Sequence, residues 1–477
     1  MRQLSRRRFL QTTLAAAATV TIAGTKSSGR VLGANEDIRV GVAGINGRGG
    51  SHISAFTGMK GVRVTHLIDV DSRLFASRAK GVEQRSGQRP QTVQDVRRAL
   101  DDRNLDVLSI ATPNHWHALM TMWACQAGKD VYVEKPCSHN VAEGRQMVDI
   151  ARKTRKIVQH GTQSRTEGGW QRVIEVIRSG KLGRLQVAYG LCYKRRDNAS
   201  GMSPTVRRID VPRELDFNLW LGPAAERPYH ENLVHYRWHW FWDFGNGDLG
   251  NQGVHQMDIA RWAIQGATLP RSVVSVGGRF GPRDQAETPN TQIALMDFGQ
   301  TQLIFEVRGL ETRPFHRQGV GNVFKLEAGI IAGTQFFPRG SDRPAPLPEV
   351  EVRRRPGNDH FTNFIAAVRS RRQDDLNADI LEGHYSSALC HLANISYRLG
   401  SNAAFNPRTR AFGDNKDAND ALARMEEHLR DRNLKLQDMQ LRVGRRLTLE
   451  ANAERFTNDQ EANRMLSRQN RRGFTVS

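Results

Sequence analysis

Cysteine is scarce in this chain, with four residues in 477 (Cys125, Cys137, Cys192 and Cys390), and no two of them stand in a Cys-x-x-Cys spacing. That leaves a cysteine-based metal or redox motif without support, and all four read as buried thiols. Long apolar runs are missing as well. Beyond the N-terminal leader, no stretch approaches the ~20 residues needed to cross a bilayer. Acidic residues are the minority, 49 against 70 Lys and Arg, for a net charge of +21. Such a balance invites nucleic acid, but the excess is spread in short clusters such as Arg195-Arg196, Arg207-Arg208, Arg353-Arg354-Arg355, Arg371-Arg372 and Arg471-Arg472. No nucleic-acid-binding motif accompanies them, so nucleic acid is set aside as a partner. A basic solvated surface, or attraction to an acidic polysaccharide, accounts for the charge.

Six of the cations precede the first acid, Glu36: Arg2, Arg6, Arg7, Arg8, Lys26 and Arg30. The segment reads Ser5-Arg6-Arg7-Arg8-Phe9-Leu10-Gln11, then a modest apolar run from Leu14 to Ala23, a polar stretch, and Leu32-Gly33-Ala34. This is the pattern of a twin-arginine signal peptide over residues 1–34 with a small-residue cleavage site. It predicts export of an already folded protein to the periplasm or cell envelope, with no stable membrane insertion after processing.

Residues 36–158 alternate strand and helix patterns. Strands are expected at 39–43, 62–68, 105–111, 131–134 and 156–159, with helices at 72–86, 91–101, 114–127 and 140–154. That alternation predicts a parallel, doubly wound sheet. Residues 159–400 change texture, with strand patterns at 185–189, 273–276, 292–298, 302–307 and 323–327 and a hairpin at Gly299-Gln300. An α+β domain with a largely antiparallel open sheet is expected, one face over a substrate and the other supporting a subunit interface in a homo-oligomer. Residues 338–357 read as a loop, followed by helices at 358–371 and 379–399. The tail, 401–477, holds an approximate repeat: Phe405 to Arg424 aligns with Leu449 to Arg468 through Asp417-Ala418-Asn419 and Glu461-Ala462-Asn463. Two copies are too few for a solenoid. They are expected to be paired surface docking segments.

The first strand runs into Gly44-Ile45-Asn46-Gly47-Arg48-Gly49 and then a helix. A dinucleotide site needs a tight turn, close backbone approach to pyrophosphate, and a helix N-terminus aimed at the anion. Gly44 and Gly49 occupy the outer glycine positions. Asn46 takes the middle one, with Gly47 beside it to relax the turn. Asp69 ends the second strand, where a carboxylate accepts from ribose hydroxyls and repels a 2′-phosphate, which favours NAD over NADP. Asp71 is the competing acid if the strand ends later. Thr112, Pro113, Asn114 and His117 follow the third long strand, at the edge where nicotinamide and substrate would meet. His115-Trp116-His117 lacks a third metal ligand, so no metal site is expected.

Glu134-Lys135-Pro136 closes the next strand, and the proline biases Lys135 toward an extended backbone that projects its ammonium into the cleft. Together with the glycine loop, Thr112-Pro113-Asn114-His115 and Gly253-Val254-His255, this motif resembles the Gfo/Idh/MocA family of nicotinamide-dependent sugar oxidoreductases, over about residues 36–400. The exported glucose–fructose oxidoreductase and NAD-dependent glycosidase branches are the most similar in texture. The resemblance implies an N-terminal Rossmann domain, a carbohydrate substrate, and a catalytic pair of lysine and histidine, matched here by Lys135 and His255. It also implies an acid four residues before the histidine, where this chain has Asn251. An amide orients a partner but relays no proton, so Asp248 or Asp258 is expected to substitute, or His255 to act without an acid.

Histidine, with an unperturbed pKa of ~6.5, suits proton exchange near neutrality. Asp258 would lie one helical turn from His255 and could set its tautomer. The segment Tyr236-Arg237-Trp238-His239-Trp240-Phe241-Trp242-Asp243-Phe244 is the densest aromatic patch in the chain. Its rings could stack on sugar C–H groups while Arg237 and His239 read hydroxyls, or they could fill the core between domains; both are expected in part. Lys194, Arg195 and Arg165 are further candidates for the same cleft. Outside the cytoplasm there is no soluble dinucleotide pool, so an exported enzyme of this kind is expected to hold its NAD through many turnovers. Its redox state would be reset by a second sugar or by the same substrate. A third expectation, a non-catalytic carbohydrate-binding protein on a dehydrogenase frame, rests on Asn251 and the irregular glycine loop.

Overall fold

The computed structural model describes residues 37–196, 201–281, 283–405 and 411–476, and the twin-arginine leader lies outside them. The first domain is built on β1 (Ile38–Ala43), β2 (Val62–Ile68), β3 (Gln91–Val93), β4 (Val107–Ile110), β5 (Asp130–Val133) and β6 (Val158–His160). All pairings are parallel and the order is β3-β2-β1-β4-β5-β6. The central strands β1, β4 and β5 are buried on both faces, which explains why they read as near-continuous apolar runs. Helices α1 (Gly47–Thr57), α2 (Phe75–Ser86), α3 (Val96–Leu100), α4 (Asn114–Gln126) and α5 (Val141–Thr154) cover the sheet.

One expected helix, 91–101, divides. Gln91-Thr92-Val93 pairs with the edge of β2, and only after Asp95, whose side chain accepts the Arg97 N–H, does the short helix α3 start. The β-branched pair carries the strand and the cap delays the helix.

After α6 (Gly168–Arg178) the chain enters an eleven-stranded sheet. Its centre is β7 (Leu185–Cys192), β8 (Ser272–Gly278), β9 (Thr291–Asp297), β10 (Gln302–Arg308) and β11 (Val320–Leu326). The expected hairpin joins β9 to β10, and among the described residues of this sheet the single parallel pair is β7 with β10. Inward residues such as Ala188, Ala294 and Phe305 pack on α6, α9 (Gly253–Ala263) and α11 (Ile380–Arg398). Between these helices in the chain lie α7 (Phe217–Leu221), α8 (Gly247–Asn251) and α10 (His360–Ser370). Helix α10 crosses back, packing Phe364 and Val368 against β1 of the first sheet, so the two domains share one interior there.

The tail is not a pair of docking segments. Past β11, β12 (Gly329–Ala332) and β13 (Gln335–Pro338) finish one edge of the large sheet, and the tail strands β14 (Ser401–Ala404), β15 (Gln440–Val443) and β16 (Leu447–Glu450) extend it beyond β8. The first repeat forms α12 (Lys416–Asp431), which buries Ala418, Leu422 and Met425 over the outward residues Val187, Tyr189 and Leu295. The second forms the short α13 (Gln460–Arg464) and buries Ala462 in the opposite core. The sheet face expected to support a subunit interface therefore already carries the chain's own helix. At the far end Phe474 packs edge-on to Trp116, and Trp123 donates to the Thr475 carbonyl. No helix among the described residues is long and apolar enough to cross a membrane.

Candidate active site

The carboxyl ends of β1, β2, β4 and β5 open on a cavity of about 370 Å³, closed on the far side by His235, Tyr236, Trp238 and His239 and by Asn251 and Gln252. Gly44, Asn46, Gly47, Arg48, Asp69, Thr112, Pro113, Glu134 and Lys135 all line it. A larger hollow of about 550 Å³ beside Lys325 and Phe337 lies on the outer sheet and contains none of these groups.

The glycine loop is shaped for close approach. Gly44 has φ +79°, and a Cβ there would meet the Ala111 carbonyl oxygen at 2.6 Å. A Cβ on Gly49 would lie 1.8 Å from the Gly44 carbonyl oxygen, so this glycine seats the helix on the strand rather than facing the cavity. Gly47, in contrast, has open space where a Cβ would stand. Asn46 needs no left-handed backbone, with φ −74°, and its side chain makes no capping bond to α1. The first-turn N–H groups of α1 thus remain available to a phosphate.

Asp69 accepts from the N–H of Ile45 at 2.8 Å and of Asp71 at 3.0 Å, tying the end of β2 to the loop. Burial pushes its carboxyl up, against those two donors. The competing acid is already engaged: Asp71 is bound by Arg73 and by His235 Nε2 at 2.9 Å and does not line the cavity. These features fit a dinucleotide, with Gly47 and α1 at its phosphates and Asp69 at a ribose.

Glu134 organises the floor. Its Oε1 accepts from Arg48 Nε at 2.7 Å, His52 Nε2 at 3.1 Å and Gln163 Nε2 at 3.1 Å. Burial alone would raise this carboxyl, but the His52 bond and the charges of His52, Arg48 and Lys135 hold it well below the usual range. Lys135, joined to Pro136 by a cis peptide bond, donates through Nζ to the Asn251 carbonyl oxygen at 2.9 Å and more weakly to Asn251 Oδ1 at 3.5 Å. Burial lowers the pKa of its ammonium; Glu134 opposes this, and Arg48, Lys194 and Arg196 reinforce it. Asn251 Nδ2 is buried without a hydrogen-bond partner among the described residues, so a donor is left over on the cavity wall.

The two candidate histidines differ in placement. His255, half-buried one turn beyond Asn251, does not line the cavity, although it lies within electrostatic range of Lys135 and Glu134. Burial and the Lys135 charge push it down to about 3, far from the neutral-pH exchanger its free value suggests. Neither expected acid serves it. Asp258 is taken by Arg165 and Ser386, and Asp248 by Arg196 and Trp240. His239 does line the cavity, stacked on Trp238 with ring centroids 3.6 Å apart. Its Nδ1–H donates to the Tyr236 carbonyl, which leaves a lone pair on Nε2. Burial pushes this ring down to about 3 as well.

Other expectations are corrected. Arg165 is buried against Asp258, Glu382 and the Trp262 ring, away from the cavity. Arg237 points elsewhere, while Trp238 and His239 line the wall and Trp240, Phe241 and Phe244 fill the core behind. Asn114 donates to Asn246, and the ring nitrogens of His117 lie 2.7 Å from the carbonyls of Pro136 and Thr112, one of which accepts its N–H, so both residues shape the wall from behind. Lys194 lines the cavity and contacts Gln252, but Arg195 pairs outward with Glu311. Arg196, missed from the sequence, takes the place expected for Arg195. Extended chain alternates sides, so 194 and 196 share a face that 195 does not. Trp116, Met120, Trp220, His235 and Gln252 were also missed; all but Trp220 lie within three residues of an expected site residue, and only the fold shows which neighbour faces the cavity.

Residues 38–162 match the family model described as Oxidoreductase family, NAD-binding Rossmann fold, and residues 171–430 match its partner, the C-terminal alpha/beta domain. Among relatives, a glycosyl hydrolase family 109 protein of Shewanella sp. (strain ANA-3) is 27% identical over 208 residues, which cover 39% of this chain and 45% of that one. An alpha-N-acetylgalactosaminidase of Shewanella oneidensis is 29% identical over 157 residues, 31% of this chain and 34% of its own. The chain thus spans less than half the length of these relatives. The WlbA dehydrogenase from Bordetella pertussis, solved with NADH and UDP-GlcNAcA, superposes with a TM-score of 0.57 at 20% identity, over 76% of this chain and 97% of that one. A levoglucosan dehydrogenase solved with NADH gives 0.51 at 17% identity, over 75% and 96%. These likenesses establish the shared fold.

Proposed function

The chain belongs to the Gfo/Idh/MocA oxidoreductase family, and from that premise we propose that it is a NAD-dependent oxidoreductase acting on a sugar or sugar derivative, exported with its dinucleotide in place. The observation that carries this reading is the convergence, on one cavity, of the open Gly47 cradle, the Lys135 ammonium and the unpartnered Asn251 Nδ2. Bound NAD supplies a nicotinamide carbon that accepts or returns a hydride. The chain's residues do the rest. Asn251 fixes Lys135 Nζ through its carbonyl, and Glu134 anchors the strand end that carries it. Lys135 then donates to the carbinol oxygen and stabilises charge developing there. Trp238, Trp220 and Trp116 exclude water and offer ring faces to sugar C–H groups.

His255 is proposed as the acid/base in keeping with its family position. His239 is the second candidate, favoured by its free Nε2 on the wall. Replacing Lys135 by Met should abolish turnover with the fold and bound dinucleotide retained. His255→Asn and His239→Asn, compared side by side, then identify the proton carrier as the variant whose kcat falls by at least about a hundredfold. Full activity in Lys135→Met would overturn the assignment.

The names of the glycosidase relatives favour a second reading, redox-neutral hydrolysis. Oxidation at one ring carbon acidifies the neighbouring C–H, the glycosidic bond is eliminated, water adds, and the ketone takes the hydride back. Release of the aglycone from an aryl glycoside with no net change in dinucleotide redox state supports this version. Conversion of free sugars alone supports the first. Export rests on the twin-arginine pattern, with periplasm or envelope as the destination, and detection of mature protein only in the cytosol would contradict it.

A further inference from the structure

A second cavity, of about 310 Å³, lies between the first domain, α11 and the end of the tail, in the size range of small-molecule sites at about 300–1,000 Å³. It is walled off from the dinucleotide cavity by the bond from Asn114 Nδ2 to Asn246 Oδ1, 3.1 Å. Asn246 lines the second cavity, whereas Pro113, beside Asn114, lines the first.

Two adjacent side chains in this wall have unused polar atoms. Asn140 is 7% exposed; its Oδ1 accepts the Glu143 N–H at 3.0 Å, which fixes the amide orientation and leaves Nδ2 buried with no partner among the described residues. His139 Nε2 is buried without a hydrogen-bond partner among the described residues, and burial holds the ring well below its ordinary pKa, so it is a neutral imidazole. The Asn140 amide donor and a neutral imidazole, which carries one N–H and one lone pair, both suit ligand hydroxyls, which donate as well as accept.

The charge around them leans cationic, with Arg398, Arg464 and Arg468 in the wall against Asp243. Asp243 is matched by Arg227 at 3.1 Å, and Glu143 by Arg468 at 3.1 Å. Arg398 and Arg464, both at the cavity, make no ion pair within 4 Å among the described residues, although Asp243 and Glu287 lie within electrostatic range of Arg398, which rests on the Trp242 ring 5.0 Å from its centroid. The guanidinium and indole together form a rigid, cationic edge.

We propose that this cavity binds an acidic sugar, its carboxylate on Arg398 and Arg464 and a ring hydroxyl on Asn140 and His139. The site is independent of the dinucleotide cavity and of the reaction there. The test is calorimetric titration of the full mature protein, dinucleotide retained, with methyl α-galacturonide, methyl α-galactoside and inorganic phosphate. The uronide should bind, the galactoside about tenfold or more weaker, and Arg464→Ala or Arg398→Ala should each weaken the uronide about tenfold, the loss of one charge-assisted bond. Dinucleotide content should be unchanged in both variants. Absence of uronide binding overturns the proposal. So does uronide affinity indifferent to both substitutions, which would place the ligand in the other cavity. Phosphate binding as tight as the uronide would mean a bare anion site and overturn the sugar half.

Discussion

At the scale of single residues, the contact that defines the site is Lys135 Nζ on Asn251. An amide holds the ammonium without neutralising it, so burial and the nearby Arg48, Lys194 and Arg196 charges leave the lysine more acidic than its ordinary 10.5. If Lys135 acts as a protonated donor, activity is lost as pH rises through that lowered value. Asn251→Asp places a carboxylate beside the ammonium and should raise it, shifting the alkaline limb of kcat/KM upward by about one unit or more. An unmoved limb would mean that another group sets it. Lys135, Glu134 and the glycine loop were legible in the sequence because each sits in a local motif with its own physical demand. The neutral state of His255 and the commitment of Asp258 to Arg165 were not. Both depend on what burial brings close, and no spacing along the chain encodes that.

At the scale of elements, the turn from β1 into α1 separates two jobs that one glycine-rich string conceals. Gly49 is required by packing and Gly47 by access. Gly49→Ala drives a Cβ into backbone that cannot move aside, and should cost about 3 kcal/mol, the upper end of overpacking, or prevent folding. Gly47→Ala meets nothing and should fold normally, while its methyl group intrudes on the phosphate path and loosens the dinucleotide. Equal thermal stability of the two variants would refute the distinction. Periodicity located the long strands of both sheets and the helices α2, α4, α5, α10 and α11, but gave no sign of α6. It failed at β3, where a three-residue edge strand and a capped five-residue helix fell within one apparently helical window. It also failed in the tail, whose repeat is real as sequence but packs on opposite faces of the sheet.

At the scale of the whole molecule, the fold class was readable and the interior electrostatics were not. His115, His160 and His391 are almost wholly buried, and burial pushes each down to about 3. Below the ordinary value of 6.5 the unfolded chain takes up protons that the folded one refuses, so stability falls as pH drops from 6.5 toward 3. The slope is up to about 1.4 kcal/mol per pH unit for each such histidine. Calorimetric Tm should therefore decline by several degrees between pH 7 and pH 5, ahead of any carboxylate titration. A flat Tm over that interval would mean that these rings are hydrated or protonated in the native state.

The central claim is that the folded chain carries NAD as a resident group. Mass spectrometry of the supernatant after the mature, gel-filtered protein is denatured tests it most directly. The account predicts NAD or NADH at about one per chain, undiminished by repeated buffer exchange. A protein that emerges without dinucleotide, and exchanges added NAD freely, would contradict it.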